Sequence, residues 1–356
     1  MSKKLLVTGG AGFIGANFVH YWLANHKDDK VVVLDLLTYA GNYESIAPLE
    51  KHPSFLFIKG DICDQALVEK LIQEQNIDTI VHFAAESHVD RSISGPAAFI
   101  QTNIMGTFSL LEAARKVWLS DSTNIKEHRF HHVSTDEVYG TLSPTEPPFT
   151  EASPYAPNSP YSASKASSDH LVRSYFHTYG LHVTTSNCSN NYGPFHFPEK
   201  LIPLILTNIL RDRSLPIYGD GQQIRDWLYV EDHARGIELV LQKGELGMCY
   251  NIGGINEWTN IDIANLLCKL VNEAFKKDAS LAQRFPLAQS AKNMNAESLI
   301  TYVTDRPGHD RRYAIDPSRS EKELGYSPKE SFESGIKKTL EWYLNNEVWW
   351  EPLLVK

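Results

Sequence analysis

The sequence predicts an α/β fold: a doubly wound parallel sheet with a smaller, C-terminal-biased α/β domain. Three observations predict it. Short β-branched runs alternate with helical patterns through the first half of the chain. The first strand runs straight into a glycine-rich turn. After residue 190 the alternation gives way to short elements punctuated by Pro203, Pro216, Gly219 and Gly221. A chain of 356 residues exceeds the usual limit of one hydrophobic core. Two unequal units are therefore expected, residues 1–190 and 191–356, with the chain returning in part to the first.

Residues 5–8, 31–35, 55–59, 79–83 and 130–134 read as buried strands, because parallel strands covered on both faces are continuous apolar runs. Between them, residues 13–25, 65–75 and 99–117 carry apolar side chains at helical spacing. The stretch 144–160 is dense in Pro, Ser and Thr and reads as a loop. A helix over 161–179 and a strand over 183–187 follow. Further helices are expected over 232–242, 261–275 and 331–345. Residues 276–299 are weakly patterned and read as a surface excursion. No role is assigned to them or to residues 121–126.

Composition excludes several classes. Lys and Arg number 34 against 43 Asp and Glu, a net charge of −9. Without a basic run the chain is a poor nucleic-acid binder, although a local cluster of cations can still hold a small anion. Cys63, Cys188, Cys249 and Cys268 form no C-x-x-C pair, so reduced, mostly buried thiols in a cytoplasmic protein are expected. The apolar start is too short for a signal segment or a membrane span. No histidine spacing suits a metal, and none is expected.

The first strand ends in a turn that carries Gly9, Gly10, Gly12 and Gly15 and opens a helix. That context makes a dinucleotide site of Rossmann type: glycines let backbone N–H groups approach a pyrophosphate at a helix N-terminus. Asp35 ends the second strand, where a carboxylate accepts from a ribose 2′-hydroxyl and repels a 2′-phosphate. NAD is therefore the expected cofactor. Asp61 and Ile62 fit beside an adenine, and Asp61 fits equally as a helix cap. Ala84, Ala85, Glu86, Ser87 and His88 follow the fourth strand and leave room for a cofactor to pass.

Tyr161 and Lys165 stand four apart on a helix and share a face. A nearby ammonium is expected to lower the Tyr161 phenol, so that the phenolate takes a proton from a sugar hydroxyl as hydride leaves. Thr135 ends a strand at the edge where α/β ligands bind, and Asp136 and Glu137 follow it. Two adjacent carboxyls beside a hydride base suit an acid and a base. Once C4 of a sugar is a ketone, one removes the C5 proton while the other protonates the departing C6 hydroxyl.

These residues resemble the dTDP-glucose 4,6-dehydratase family of the extended short-chain dehydrogenase/reductase superfamily. The likeness covers nearly the whole chain and includes the glycine turn, DLLTYAGN from Asp35, AAESHVDRS from Ala84, STDEVYG from Ser134 and Tyr161 with Lys165. It continues through SNNYGP from Ser189, FPEKLIP from Phe197, RDWLYVED from Arg225 and DRPGHDR from Asp305. The resemblance implies Asp136 as the acid at C6, Glu137 as the base at C5 and Tyr161 as the base at C4, helped by Thr135 and Lys165. Hydride then returns to C6, giving dTDP-4-dehydro-6-deoxyglucose. It implies Phe13, Ile14, Asp35, Leu36, Leu37 and Thr38 around the cofactor, together with Asp61, Ile62, Thr102 and Asn191. It implies His88, Asn190, Lys200, Leu201, Pro216 and Ile217 around dTDP-glucose. Tyr218, Arg225, Asn260, Asp305 and His309 belong to that set as well, Arg225 and His309 suiting the diphosphate. A homodimer through the helices ending near Val117 and spanning 164–179 is also implied.

A nucleotide-sugar 4-epimerase or decarboxylase of the same superfamily shares Tyr161, Lys165 and the glycine turn. An epimerase has no need of an acid and a base at positions 136 and 137. A non-catalytic NAD-binding protein has no need of Tyr161 and Lys165 beside them. Thymine over uracil rests on the likeness alone.

Overall fold

The computed structural model describes residues 2–120 and 127–355. Residues 121–126, which the sequence left without a role, lie outside the described residues. The chain opens with β1 (Lys4–Thr8), α1 (Phe13–Asn25), β2 (Lys30–Asp35), β3 (Phe55–Lys59), α2 (Gln65–Glu74) and β4 (Thr79–His82). Two short helices follow, α3 (Val89–Ser94) and α4 (Pro96–Phe99), then α5 (Thr107–Trp118). The single helix expected over 99–117 is thus interrupted, because Ile100–Gly106 adopts π-helical geometry. Next come β5 (Arg129–Thr135), α6 (Pro160–Tyr179) and β6 (Val183–Cys188). α6 is bounded sharply. Ser159 and Ser162 form a capping box, Pro160 opens the first turn, and Gly180 closes the helix in the left-handed region.

The remaining elements are β7 (Asn190–Tyr192), α7 (Leu201–Leu210), β8 (Leu215–Tyr218), β9 (Ile224–Tyr229), α8 (Val230–Lys243) and β10 (Cys249–Ile252). Then follow β11 (Glu257–Thr259), α9 (Asn260–Lys277), α10 (Ser280–Arg284), α11 (Gln289–Lys292), β12 (Ile300–Val303), β13 (Arg312–Tyr313) and α12 (Phe332–Asn345). Pro203 does not break α7, since it sits in the first turn, where a missing N–H costs no helical bond.

Seven parallel strands form the main sheet in the order β10-β6-β5-β4-β1-β2-β3. Side chains alternate between its faces. Leu5, Val7, Val31 and Val33 pack with α1 and α8, while Leu6, Val32, Leu34 and Ile80 pack with α2, α5 and α6. Each such side chain contributes about 1.5–3 kcal/mol when fully buried. The strand order reverses between β1 and β4, which opens a crevice at the carboxyl ends of the strands. A second sheet centres on β9, with β11 antiparallel and β7 and β13 parallel to it. β8 and β12 form a separate parallel pair. Among the described residues, no helix is long and apolar enough to cross a membrane.

Residues 276–299 are not a surface excursion. Leu281, Phe285, Ala288 and Ala296 are buried in the same core as α7, α9 and α12. The segment is built from helices of five and four residues, too short to display a period. Phe285→Ala is expected to lower the unfolding free energy in urea by about 3–5 kcal/mol. A loss near zero would return the segment to the surface.

Candidate active site

The carboxyl ends of β1 to β6 and the facing walls from β8, β9 and α9 enclose a cleft of about 480 Å³. Its first end is the glycine turn. Gly9 has φ +70°, and a Cβ there would lie 2.6 Å from the Ala84 nitrogen. A Cβ on Gly15 would lie 2.2 Å from the Gly9 carbonyl. The turn therefore presents bare backbone. α1 begins at Gly12 with no side-chain cap and no acidic residue in its first turn, so its N-terminus is open to an anion. Gly9, Gly12, Phe13, Ile14 and Gly15 all line this end.

Asp35 accepts hydrogen bonds from the backbone N–H groups of Ala11 (2.9 Å) and Leu37 (2.8 Å). Burial pushes its carboxyl above the ordinary value, and those two N–H groups oppose the shift. Leu36, Thr38, Asp61, Ile62, Ala84, Ala85, Glu86, Ser87, Thr102 and Asn191 also line the cleft. Leu37 does not. Its φ of +57° turns the side chain towards the core beside α1. Asp61 is not the cap of α2, a task that Asp64 performs by accepting from the Leu67 N–H. Thr102 sits on the π-helical stretch. The side-chain amide of the adjacent Asn103 accepts from the Glu86 N–H, donates to the Glu86 carbonyl and donates to the Ser164 hydroxyl (2.8 Å), tying that stretch to α6.

The second region lies where β5 meets α6. The Thr135 hydroxyl accepts from the Glu137 N–H (3.3 Å), donates to Asp136 Oδ1 (3.4 Å) and lies close enough to the Tyr161 phenol to lower its pKa. Lys165 is buried and donates to the Val133 carbonyl (2.9 Å). Glu137 faces the cleft, whereas Asp136 lies just behind the wall with Oδ2 unpartnered. Burial raises the pKa of both carboxyls, but their surroundings differ. Asp136 is pushed well up by burial, then by the charges of Glu137 and Asp226. Glu137 is raised by burial and lowered by Arg225, Arg306 and Lys200. Asp136 thus holds its proton more firmly than Glu137 does.

Tyr161 departs from expectation. Its phenol is pushed well above the ordinary value, because burial and the Glu137 charge outweigh the Thr135 hydrogen bond. The Lys165 ammonium is engaged with the Val133 carbonyl and does not reverse that direction.

The far end is lined by His88, Asn190, Lys200, Leu201, Pro216, Ile217, Tyr218, Arg225, Asn260 and His309. Asp305 stands behind this wall. Its carboxylate lies 2.6 Å from His309 Nδ1 and accepts from Gln223 (2.9 Å). It orients His309 rather than lining the cleft. Burial and Arg306 lower the His309 pKa, and with its Nδ1–H donated to Asp305 the neutral imidazole presents Nε2 as an acceptor. Burial and Lys200 likewise lower His88, to about 4. Arg225 stacks over Tyr313, 4.3 Å from the ring centre. Arg306, Tyr313, Trp227 and Glu199 line the cleft although the sequence did not single them out. Arg306 lies inside the DRPGHDR run, whose charge was the available signal.

Residues 6–339 match the family described as GDP-mannose 4,6 dehydratase. A dTDP-glucose 4,6-dehydratase from Neisseria meningitidis serogroup B is 53% identical over 354 residues, spanning 99% of this chain and 96% of that protein. A solved dTDP-glucose 4,6-dehydratase from Streptomyces venezuelae, with NAD and TYD bound, has TM-score 0.87 at 46% identity, covering 98% of this chain and 99% of its own. The UDP-glucose 4-epimerase of Thermotoga maritima, solved with UDP-glucose, has TM-score 0.81 at 28% identity, covering 97% and 99%.

Gly15→Ala must displace the turn, since the new Cβ meets backbone. Isothermal titration is expected to show dinucleotide affinity lower by about tenfold or more. Unchanged affinity would contradict the assignment of this turn.

Proposed function

We propose that this chain, which belongs to the GDP-mannose 4,6 dehydratase family, is a dTDP-glucose 4,6-dehydratase working with bound NAD. The observation that carries the reading is the acid pair at the end of β5, split by its surroundings and set beside Tyr161. The epimerase shares the fold, so the fold alone does not select the reaction.

The residues fit NAD. The bare glycine turn and open α1 N-terminus suit its pyrophosphate, and Asp35 suits an unphosphorylated ribose. Bound NAD supplies the acceptor and donor of one hydride. The Lys165 ammonium and the positive ring of bound NAD would offset the burial that raises the Tyr161 phenol, so that its phenolate takes the proton of the C4 hydroxyl. With C4 a ketone, the C5 proton is acidic, and Glu137 removes it. Asp136 gives its proton to the C6 hydroxyl, which leaves as water. Asp136 lies just behind the cleft wall, so reaching the C6 hydroxyl requires its side chain to rotate towards the cleft. Arg225, Arg306 and Lys200 hold the diphosphate and also favour the ionised form of Glu137. The product is dTDP-4-dehydro-6-deoxy-D-glucose.

In this reading residues 1–190 hold the cofactor and residues 191–356 mainly hold the nucleotide sugar. It includes a homodimer, supported by exposed Ile100, Met105, Phe108 and Tyr179 along the π-helical stretch, α5 and the end of α6. A cytoplasmic location is supported by four unpaired cysteines, two of them buried.

Glu137→Gln is expected to cut turnover by roughly a hundredfold or more while C4 oxidation persists. Enzyme-bound NADH absorbance should then build up. Equal loss of oxidation and elimination would contradict the role of Glu137. Sedimentation velocity should give a species of twice the chain mass, and a monomer would remove the dimer from this reading.

A further inference from the structure

Deeper along α6 lies a buried polar cluster that the chemistry above does not use. Tyr161, Lys165 and Asp169 are four apart and share one face of the helix. Asp169 Oδ2 accepts from the Ser134 hydroxyl (2.8 Å) and the Tyr155 phenol (2.9 Å). Its Oδ1 lies 3.1 Å from His132 Nε2. Asp169 and Lys165 are both buried, at 5% and 4% exposure.

The groups facing Lys165 are the Val133 carbonyl and His132 on β5, His82 on β4, Cys188 on β6, and Asp169 on α6, the helix that also carries Tyr161 one turn earlier. Neither histidine adds charge. The Thr107 hydroxyl donates to the Asn103 carbonyl (2.6 Å), so His82 Nε2 donates to Thr107 (3.0 Å) and Nδ1 accepts from Thr8 (2.8 Å). That is a neutral tautomer. Burial keeps His132 neutral too. Burial pushes the Cys188 thiol up to about 12, so it stays protonated. The groups facing Asp169 are Ser134, His132 and Tyr155, then Lys165 and His170 on α6, Tyr139, and the Cys249 thiol on β10, which burial raises. Burial brings the Asp169 carboxyl to about 6, with Lys165 and the two hydroxyls opposing. It is therefore ionised at neutral pH.

We propose that Asp169 is a positioning residue for the oxidation step, the buried counter-charge that keeps Lys165 cationic beneath Tyr161. The inference rests on Tyr161 being the base at C4. An ammonium this deeply buried sheds its proton unless an anion offsets it. Ser134 and Tyr155 fix the carboxylate in place, and the helix sets its spacing from Lys165.

The test follows bound NADH on mixing with dTDP-glucose, in the Glu137→Gln background, as a function of pH. Adding Asp169→Asn should move the alkaline limb of the oxidation rate down by about one pH unit or more, a loss of about tenfold at alkaline pH with little change near neutrality. Ser134→Ala removes one hydrogen bond but leaves Asp169 ionised at alkaline pH, so it should leave the alkaline limb in place. A uniform loss at every pH in Asp169→Asn would overturn the proposal. Should that variant not fold, NMR of Nζ-labelled lysine in the wild-type protein decides, with Lys165→Met identifying the signal. Lys165 is expected to be protonated at neutral pH, and a neutral amine there would overturn the proposal. A Glu137→Gln parent that forms no NADH at all overturns the functional reading itself, and this inference with it.

Discussion

Everything in the cleft depends on how α6 lies along β5. Two buried interactions fix that seating, the Lys165 ammonium on the Val133 carbonyl and the Ser134 hydroxyl on the Asp169 carboxylate. They set the register between strand and helix, so that Thr135, at the last position of β5, meets Tyr161 in the first turn of α6. The turn beyond Thr135 then has one place to put Asp136 and Glu137. Asn103 secures the other side of α6 through Ser164 and extends the same seating to the cofactor wall at Glu86.

Burial alone would raise both acids and leave them equivalent. Their surroundings break the equivalence. Asp136 adds the charges of Glu137 and Asp226 to its desolvation, whereas Glu137 looks across the cleft at Arg225, Arg306 and Lys200. Those cations come from β9, from the segment before β13 and from the start of α7. The second unit therefore does more than hold a diphosphate. It supplies the charges that separate an acid from a base on the first unit.

Much of the first half was legible because strands covered on both faces are unbroken apolar runs, and because α6 carries its own start and stop signals. The glycine turn was legible because its spacing has one geometric purpose. The rest depended on tertiary facts. Leu37 was misplaced because the residues flanking a leucine give no sign of a left-handed φ there. Asp305 and His309 are four apart in one motif, yet only packing shows which faces the cleft. Residues 276–299 hid their burial in helices too short for a period. The direction of the Tyr161 shift was missed because spacing reveals Lys165 but not the desolvation or the charge of Glu137. Arg306 and Glu199 lie inside runs that the sequence did mark, but only packing shows that their side chains, with that of Tyr313, line the cleft.

Incubation with dTDP-glucose deuterated at C4, followed by mass spectrometry and NMR, tests the acid pair's role most directly. The expected product is lighter by one water and carries a ketone at C4 and the deuterium in a methyl group at C6. A product of unchanged mass, inverted at C4, would contradict the assignment. It would leave Asp136 and Glu137 without a chemical task.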